Sequence, residues 1–304
     1  MENLALLVLC FAFGIILRRS GRLPDNAHAA LNGFIIHISL PALILLYVHR
    51  LTLDVSVIFP VLAPWLLFGF GLVVFVSIGK AIGWDRQTTG GLIMSSSLAN
   101  TSFVGLPMIE VFYGTTFLGI GILIDQLGTY MVLSTLGILV AVTFSGDQTE
   151  RVSGRAVLRK IITFAPFQAL LLALVLRPIT FPEGIEQVLG RLGGTLAPLA
   201  LVSVGYQLRL SDIQGRLAPL SVGLVFKLVL GPLLIMAALV KGFGLSGPTT
   251  QVTIFEAAMA PQIGGAIVAM EHKLNPPLVT LMVGIGIPLS FLTLPLWWHA
   301  LRGL

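Results

Sequence analysis

Charge is what this sequence has least of. Only 10% of its 304 residues are Asp, Glu, Lys or Arg, whereas soluble domains carry about 25%. So few charges cannot coat a water-facing surface. The deficit excludes an ordinary soluble enzyme or binding module and leaves a chain solvated by lipid. Cysteine is nearly absent as well. The single Cys10 excludes an intramolecular disulfide framework and a cysteine metal cluster. No His or Cys grouping has metal-ligand spacing, so no metal and no other cofactor is expected. A Walker loop is missing, which argues against ATP-driven pumping by this chain. An intramembrane enzyme would need a convergent nucleophile and base, and no such pair stands out.

Apolar residues fill the space: 56% of the chain is hydrophobic and the mean hydropathy is +0.98. A helix crosses a bilayer with roughly 20 apolar residues. Runs bounded by charges or turn residues give ten spans, near 3–17, 26–48, 55–79, 88–112, 116–144, 157–176, 186–208, 216–240, 248–270 and 276–300. Lipid offers no partner to a free backbone group, and these runs are too long for barrel strands, so the spans must be helices. The first run is preceded by Glu2 and followed by Arg18 and Arg19. A cleaved signal peptide has the opposite charge order, so the run reads as a spanning helix.

The net charge of +5 reflects loop positives needed for insertion rather than nucleic-acid binding. With the N-terminus outside, cytoplasmic loops hold Arg18, Arg19, Arg22, Lys80, Arg86, Arg151, Arg155, Arg159, Lys160, Arg209, Arg216 and Lys273. The outside holds Arg50, Arg177, Arg191, Lys241 and Arg302. This bias places both termini on the non-cytoplasmic side of a cell inner membrane.

Prolines repeat in order: Pro24 and Pro182, Pro41 and Pro198, Pro60 and Pro219, Pro107 and Pro261. Their separations of 158, 157, 159 and 154 residues divide the chain into two five-helix halves, 1–144 and 158–304, joined by a cytoplasmic connector at 145–157. An odd number of helices per half makes the second half inverted. Inverted repeats are typical of secondary transporters, with the site at the repeat interface.

The fourth and ninth spans carry the chemistry. One reads Ser95-Ser96-Ser97-Leu98-Ala99-Asn100-Thr101-Ser102-Phe103-Val104-Gly105-Leu106-Pro107, and the other Glu256-Ala257-Ala258-Met259-Ala260-Pro261-Gln262-Ile263-Gly264-Gly265. Proline removes a helical hydrogen bond and glycine loosens the backbone beside it. Two interrupted helices in matching positions point to a transport site. Their exposed N-termini suit an anion such as a carboxylate, and Asn100 and Gln262 add donors without fixed charge. A pair of ordinary proline kinks is the simpler alternative, but the repeat-related positions and adjacent amides weigh against it. Glu110, Asp125, Lys227 and Glu256 also lie within spans. Intramembrane charges usually pair or serve function. Asp125, Lys227 and Glu256 are therefore candidates for proton or sodium coupling, or for a structural ion pair. His37 in the second span reads as a packing residue.

The segment Asn100 to Pro107 resembles the fourth-helix crossover of the auxin efflux carrier family. Pro261-Gln262 followed by Glu271-His272-Lys273-Leu274-Asn275-Pro276 resembles its ninth-helix segment. Asn32 through Pro41 resembles its second helix, and Ser203 through Gly205 its seventh. The resemblance implies ten helices in a five-plus-five inverted repeat, a scaffold domain, and a transport domain with two broken crossover helices, the fold shared with bile-acid sodium symporters. It further implies elevator-type alternating access, export of small organic anions and a homodimer. Asn100, Pro107 and Pro261 carry over as substrate-site residues, and Gln126 matches a fifth-helix glutamine. With the bottom-up reading, the substrate-binding set is Asn100, Thr101, Pro107, Gln126, Pro261 and Gln262. The long hydrophilic loop of many plant members is absent, which suits a bacterial member and dicarboxylates such as malonate or malate. A sodium-coupled symporter of the bile-acid type and a non-transporting sensor are the alternatives.

Overall fold

A computed structural model describes residues 2–51, 57–145, 153–209 and 215–304. Thirteen helical segments account for most of them. They are α1 (Glu2–Ser20), α2 (Ala27–Tyr47), α3 (Ile58–Ile82), α4 (Arg86–Ser96), α5 (Thr101–Phe112), α6 (Thr115–Ser145), α7 (Gly154–Ile162), α8 (Ala165–Val175), α9 (Glu183–Gln207), α10 (Leu217–Gly242), α11 (Pro248–Ala257), α12 (Ile263–Glu271) and α13 (Pro276–Leu301). Among the described residues, six helices are long and apolar enough to cross a membrane: α2, α3, α6, α9, α10 and α13. The pair α7 and α8 passes that test together, bent by 64°. This is a multi-pass membrane protein. The only extended pairing among the described residues is one isolated antiparallel bridge between Ala99 and Pro261.

Three expected spans are therefore not continuous helices. The fourth is α4 and α5, the ninth is α11 and α12, and the sixth is α8 preceded by the separate α7. Phe164 is extended at the α7–α8 bend, and Pro166 opens α8 in a first-turn position where its missing N–H costs nothing. Local signals set other boundaries. Gly83 closes α3 in the left-handed region at φ 81°, which glycine tolerates without a Cβ penalty. Asp85 then caps α4, its Oδ1 accepting from the Thr88 N–H at 2.6 Å.

The helices pack as two groups. In the first, α1 lies along the second half of α9, while α2 packs against α8 and α9. In the second, α3 packs on α4, α6, α10 and α11, and α4 packs on α12 and α13. The α1–α9 contact is close because Gly14 and Gly205 face each other: a Cβ on Gly205 would collide with the Phe11 carbonyl oxygen, and one on Gly14 with that of Val202. Small residues allow this approach in membranes, where packing rather than water exclusion holds helices together. Large apolar side chains such as Val175, Leu292 and Leu296 remain exposed at 68–72%, the outward face expected of a lipid-solvated protein.

Loops gather at two ends. Arg18 and Arg209 line one cavity. At the other end, Arg50 pairs with Glu186, and Arg177 Nη2 donates to the Leu51 carbonyl at 3.1 Å.

Gly205→Ala should lower the thermal stability of the detergent-solubilised protein by about 1–3 kcal/mol, the usual cost of overpacking. Gly184→Ala, where a Cβ meets nothing within 4 Å, should leave the midpoint near that of the parent. Equal midpoints for both variants would show that α1 and α9 are not in close contact.

Candidate functional site

The two interruptions lie against each other. The Asn100 N–H donates to the Ala260 carbonyl at 2.9 Å, and the Gln262 N–H donates to the Leu98 carbonyl at 3.3 Å. The Ala99–Pro261 bridge sits between these two bonds. Proline is tolerated at its centre because the flanking residues supply the donors. Each break thus satisfies part of the backbone freed by the other, as an apolar surrounding requires.

Four helix ends converge here. The starts of α5 and α12 bring partial positive charge, and the ends of α4 and α11 bring partial negative charge. Asn100 caps α5, its Oδ1 accepting from the Phe103 N–H at 3.2 Å. Its Nδ2 is buried with no hydrogen-bond partner among the described residues, and Gln262 Oε1 is in the same condition. π-helical turns occur at 101–105, 124–129 and 226–230. These hold Thr101, Asp125 with Gln126, and Lys227. Such turns recur at functional sites because they redirect side chains within a continuous helix.

A cavity of about 210 Å³ opens on the side of the helix starts. Asn100, Ser102, Asp125, Gln262 and Gly264 line it from the second helix group, and Ile36 and Leu40 of α2 from the first. It therefore lies on the seam between the groups. Tyr130 and Phe164, whose rings stack at 4.1 Å, close one wall. Ile263 and Ile267 form another and also line a second cavity of about 350 Å³ that holds Arg18, His28 and Arg209.

Of the six residues expected to bind substrate, Asn100 and Gln262 line the cavity of about 210 Å³. Thr101 faces away from it and donates its hydroxyl to Asp125 Oδ1 at 2.5 Å. Gln126 Nε2 donates to Asp125 Oδ2 at 2.7 Å. Pro107 lies in the first turn of the α-helical part of α5 and is buried. Pro261 is buried against Gly286, where a Cβ would come within 2.5 Å of its ring. Thr101 and Gln126 thus both donate to Asp125, and both prolines are buried.

The three charged candidates are all buried: Asp125 at 4%, Glu256 at 1% and Lys227 at 0% exposure. They do not form a hydrogen-bonded ion pair. Lys227 Nζ donates to the Ala257 carbonyl at 2.8 Å, at the negative end of α11. Neither Glu256 oxygen has a hydrogen-bond partner among the described residues. His37 is exposed rather than packed, and Glu110 is exposed too. Among the described residues, no group of three or more His, Cys, Asp or Glu could hold a metal ion. The sequence reading missed Tyr130, Phe164 and Ile267, which belong to ordinary apolar stretches. It missed Thr129 as well, although that residue lies one helical turn beyond Asp125.

A mostly apolar cavity with a few convergent polar groups at two facing helix breaks, inside a multi-pass membrane protein, is the architecture of a solute carrier. The chain belongs to the membrane transport protein family, the auxin efflux carrier family its motifs resemble, and matches that family over residues 1–298. It is similar to an uncharacterized transporter of Methanothermobacter thermautotrophicus, 29% identical over 298 residues, covering 97% of this chain and 95% of the relative. An uncharacterized transporter of Methanocaldococcus jannaschii is 22% identical over 307 residues, covering 98% and 97%. Both relatives are archaeal.

Replacing Lys227 by Met should strip the α11 terminus of its charged donor and cost roughly 2–3 kcal/mol, read as a lowered denaturation midpoint in detergent. An unchanged midpoint would show that the ammonium does not hold this end of the helix.

Proposed function

We propose that this protein is a secondary transporter for a small organic anion, bound as a carboxylate between Asn100 and Gln262. One observation carries the reading: two helix starts and the unpartnered Asn100 amide converge on the 210 Å³ cavity. Helix starts and amide donors favour negative charge without holding it irreversibly. Pockets for drug-sized ligands run from about 300 to 1,000 Å³, so this volume suits a small carboxylate such as malonate or malate better than a large one.

The ten-crossing reading accounts for every helix. The six long helices, the bent α7–α8 pair, the broken α4–α5 and α11–α12 pairs and α1 each make one crossing. The reciprocal bonds at Asn100 and Gln262 are those an inverted repeat would place about its axis. In this arrangement α1, α2, α8 and α9 form the scaffold, and the remainder forms the transport domain. Elevator motion along the seam would carry the cavity across the inner membrane. The basic cavity with Arg18 and Arg209 then faces the cytoplasm, with both termini on the opposite side, and Ile263 and Ile267 wall the substrate off from it. A homodimer of scaffold domains would anchor the motion, and the buried charges would couple it to a proton or a sodium ion.

Reconstituted protein should move labelled malonate or malate across liposome membranes. Asn100→Ala should reduce initial flux at least tenfold while leaving the unfolding midpoint within a few degrees of the parent, and Ile267→Trp should block flux by filling the wall. Full flux in Asn100→Ala would remove that residue from the site. Absence of carboxylate flux in the parent protein would remove the anion assignment.

A further inference from the structure

Away from the breaks, α7 presents a surface that the described residues leave uncovered. Side chains turn by about 100° per residue along a helix, which sorts the nine residues of α7 by chemistry. Val157, Leu158, Ile161 and Ile162 share one side, and Arg155, Arg159 and Lys160 share the other. Half of the apolar side is occupied: Val157 and Ile161 are half-buried, and α7 packs on Leu133–Gly137 of α6. The other half is open. Leu158 is 57% and Ile162 50% exposed, and both border a groove of about 630 Å³ that Arg155 and Arg159 also line.

The charge on this surface is of one sign. No Asp or Glu occurs in the sequence from Arg151 to Pro182. The ion pairs among the described residues, Arg18–Asp25 and Arg50–Glu186, leave Arg155, Arg159 and Lys160 without a carboxylate. The position of the helix matches its composition. A bend of 64° separates α7 from α8, so with α8 crossing the bilayer, α7 is laid toward the membrane plane. The exposed Leu171, Leu172 and Val175 of α8 continue the outward apolar surface from there. A short basic helix with one apolar side settles at the boundary between headgroups and acyl chains, its apolar residues inward and its cations beside the phosphates. A water-soluble acidic partner would match the arginines but not the exposed Leu158 and Ile162, whereas an anionic phospholipid matches both.

We propose that α7 docks on the membrane surface, where Arg155 and Arg159, one helical turn apart, hold the phosphate of an anionic phospholipid while Leu158 and Ile162 enter the acyl boundary. The site lies outside the substrate cavity and does not depend on which solute is carried. It is nevertheless joined to that cavity. Phe164, just beyond α7, stacks on Tyr130, and the Tyr130 hydroxyl donates to the Lys160 carbonyl at 3.3 Å. These rings close one wall of the 210 Å³ cavity, so the lipid contact and the cavity wall share one short helix.

A nitroxide label on the purified, intact protein tests this without any flux measurement. It is attached at Leu158→Cys in a Cys10→Ala background, which removes the one native thiol. In nanodiscs of phosphatidylcholine and phosphatidylglycerol, the label should collide more with oxygen than with a water-soluble nickel chelate. In neutral detergent, added phosphatidylglycerol should immobilise it saturably, and phosphatidylcholine should not. Arg155→Gln with Arg159→Gln should raise the half-saturating phosphatidylglycerol concentration about 25-fold, about fivefold for each cation removed. Both arginines are exposed, so these replacements should leave the fold intact. Arg22→Gln with Lys80→Gln, which removes two exposed cations elsewhere, should leave half-saturation unchanged. A label open to the chelate would overturn the proposal and turn attention to a water-soluble acidic partner. Equal responses to the two lipids, or a phosphatidylglycerol response indifferent to the arginine pair, would overturn it as well.

Discussion

Lipid supplies no hydrogen bonds, and this structure is organised around two places where its helices stop making their own. A break in one membrane helix leaves carbonyls and amides that the bilayer cannot solvate. Here the breaks at 97–100 and 258–262 meet, and each returns part of the other's lost pairing through the Asn100–Ala260 and Gln262–Leu98 bonds. Neither interruption would be tolerable alone in a lipid-facing position. Pro261 packs closely on Gly286 of α13 beside this crossing.

Meeting in this way separates charge without placing a free ion in the membrane. Helix starts gather on one side of the bridge and helix ends on the other. The first side adjoins a cavity with unpartnered amide groups on the seam between two helix groups. The second side adjoins a carboxylate and hydroxyls around a space for one small particle. The Lys227 side chain donates to the Ala257 carbonyl at this carbonyl end. Thr101 lies between the two sides: it lines the smaller space and donates to Asp125, which lines the larger cavity.

Much of this was legible in the sequence, because insertion into lipid restricts what residues can do. Long apolar runs could only be helices. Pro107, Pro261 and the amides beside them marked the interruptions, and the chain's membership of the transporter family agrees with that reading. The details that depend on three-dimensional proximity were not legible. Lys227 reads naturally as the partner of a nearby carboxylate, yet it donates to a backbone carbonyl, because the end of α11 offers negative charge that no sequence pattern advertises. Pro107 and Gln126 read as contacts for a substrate; the structure places Pro107 in the first turn of the α-helical part of α5 and has Gln126 donating to Asp125. Tyr130 and Phe164 meet across a bend that Pro166 hints at without fixing its direction. Thr129 was visible only as one hydroxyl among many; in the structure it lines the smaller space with Glu256.

Amide hydrogen exchange at Asn100 and Gln262, followed residue by residue in lipid nanodiscs, tests most directly whether the two breaks close on each other. Both amides lie outside regular helix beside a cavity, yet the account requires them to exchange slowly, at rates comparable to neighbouring helical amides, because each is bonded across the crossing. Rapid exchange at both positions, as in an open loop, would mean that the breaks do not pair and that the polar crossing does not exist in the membrane.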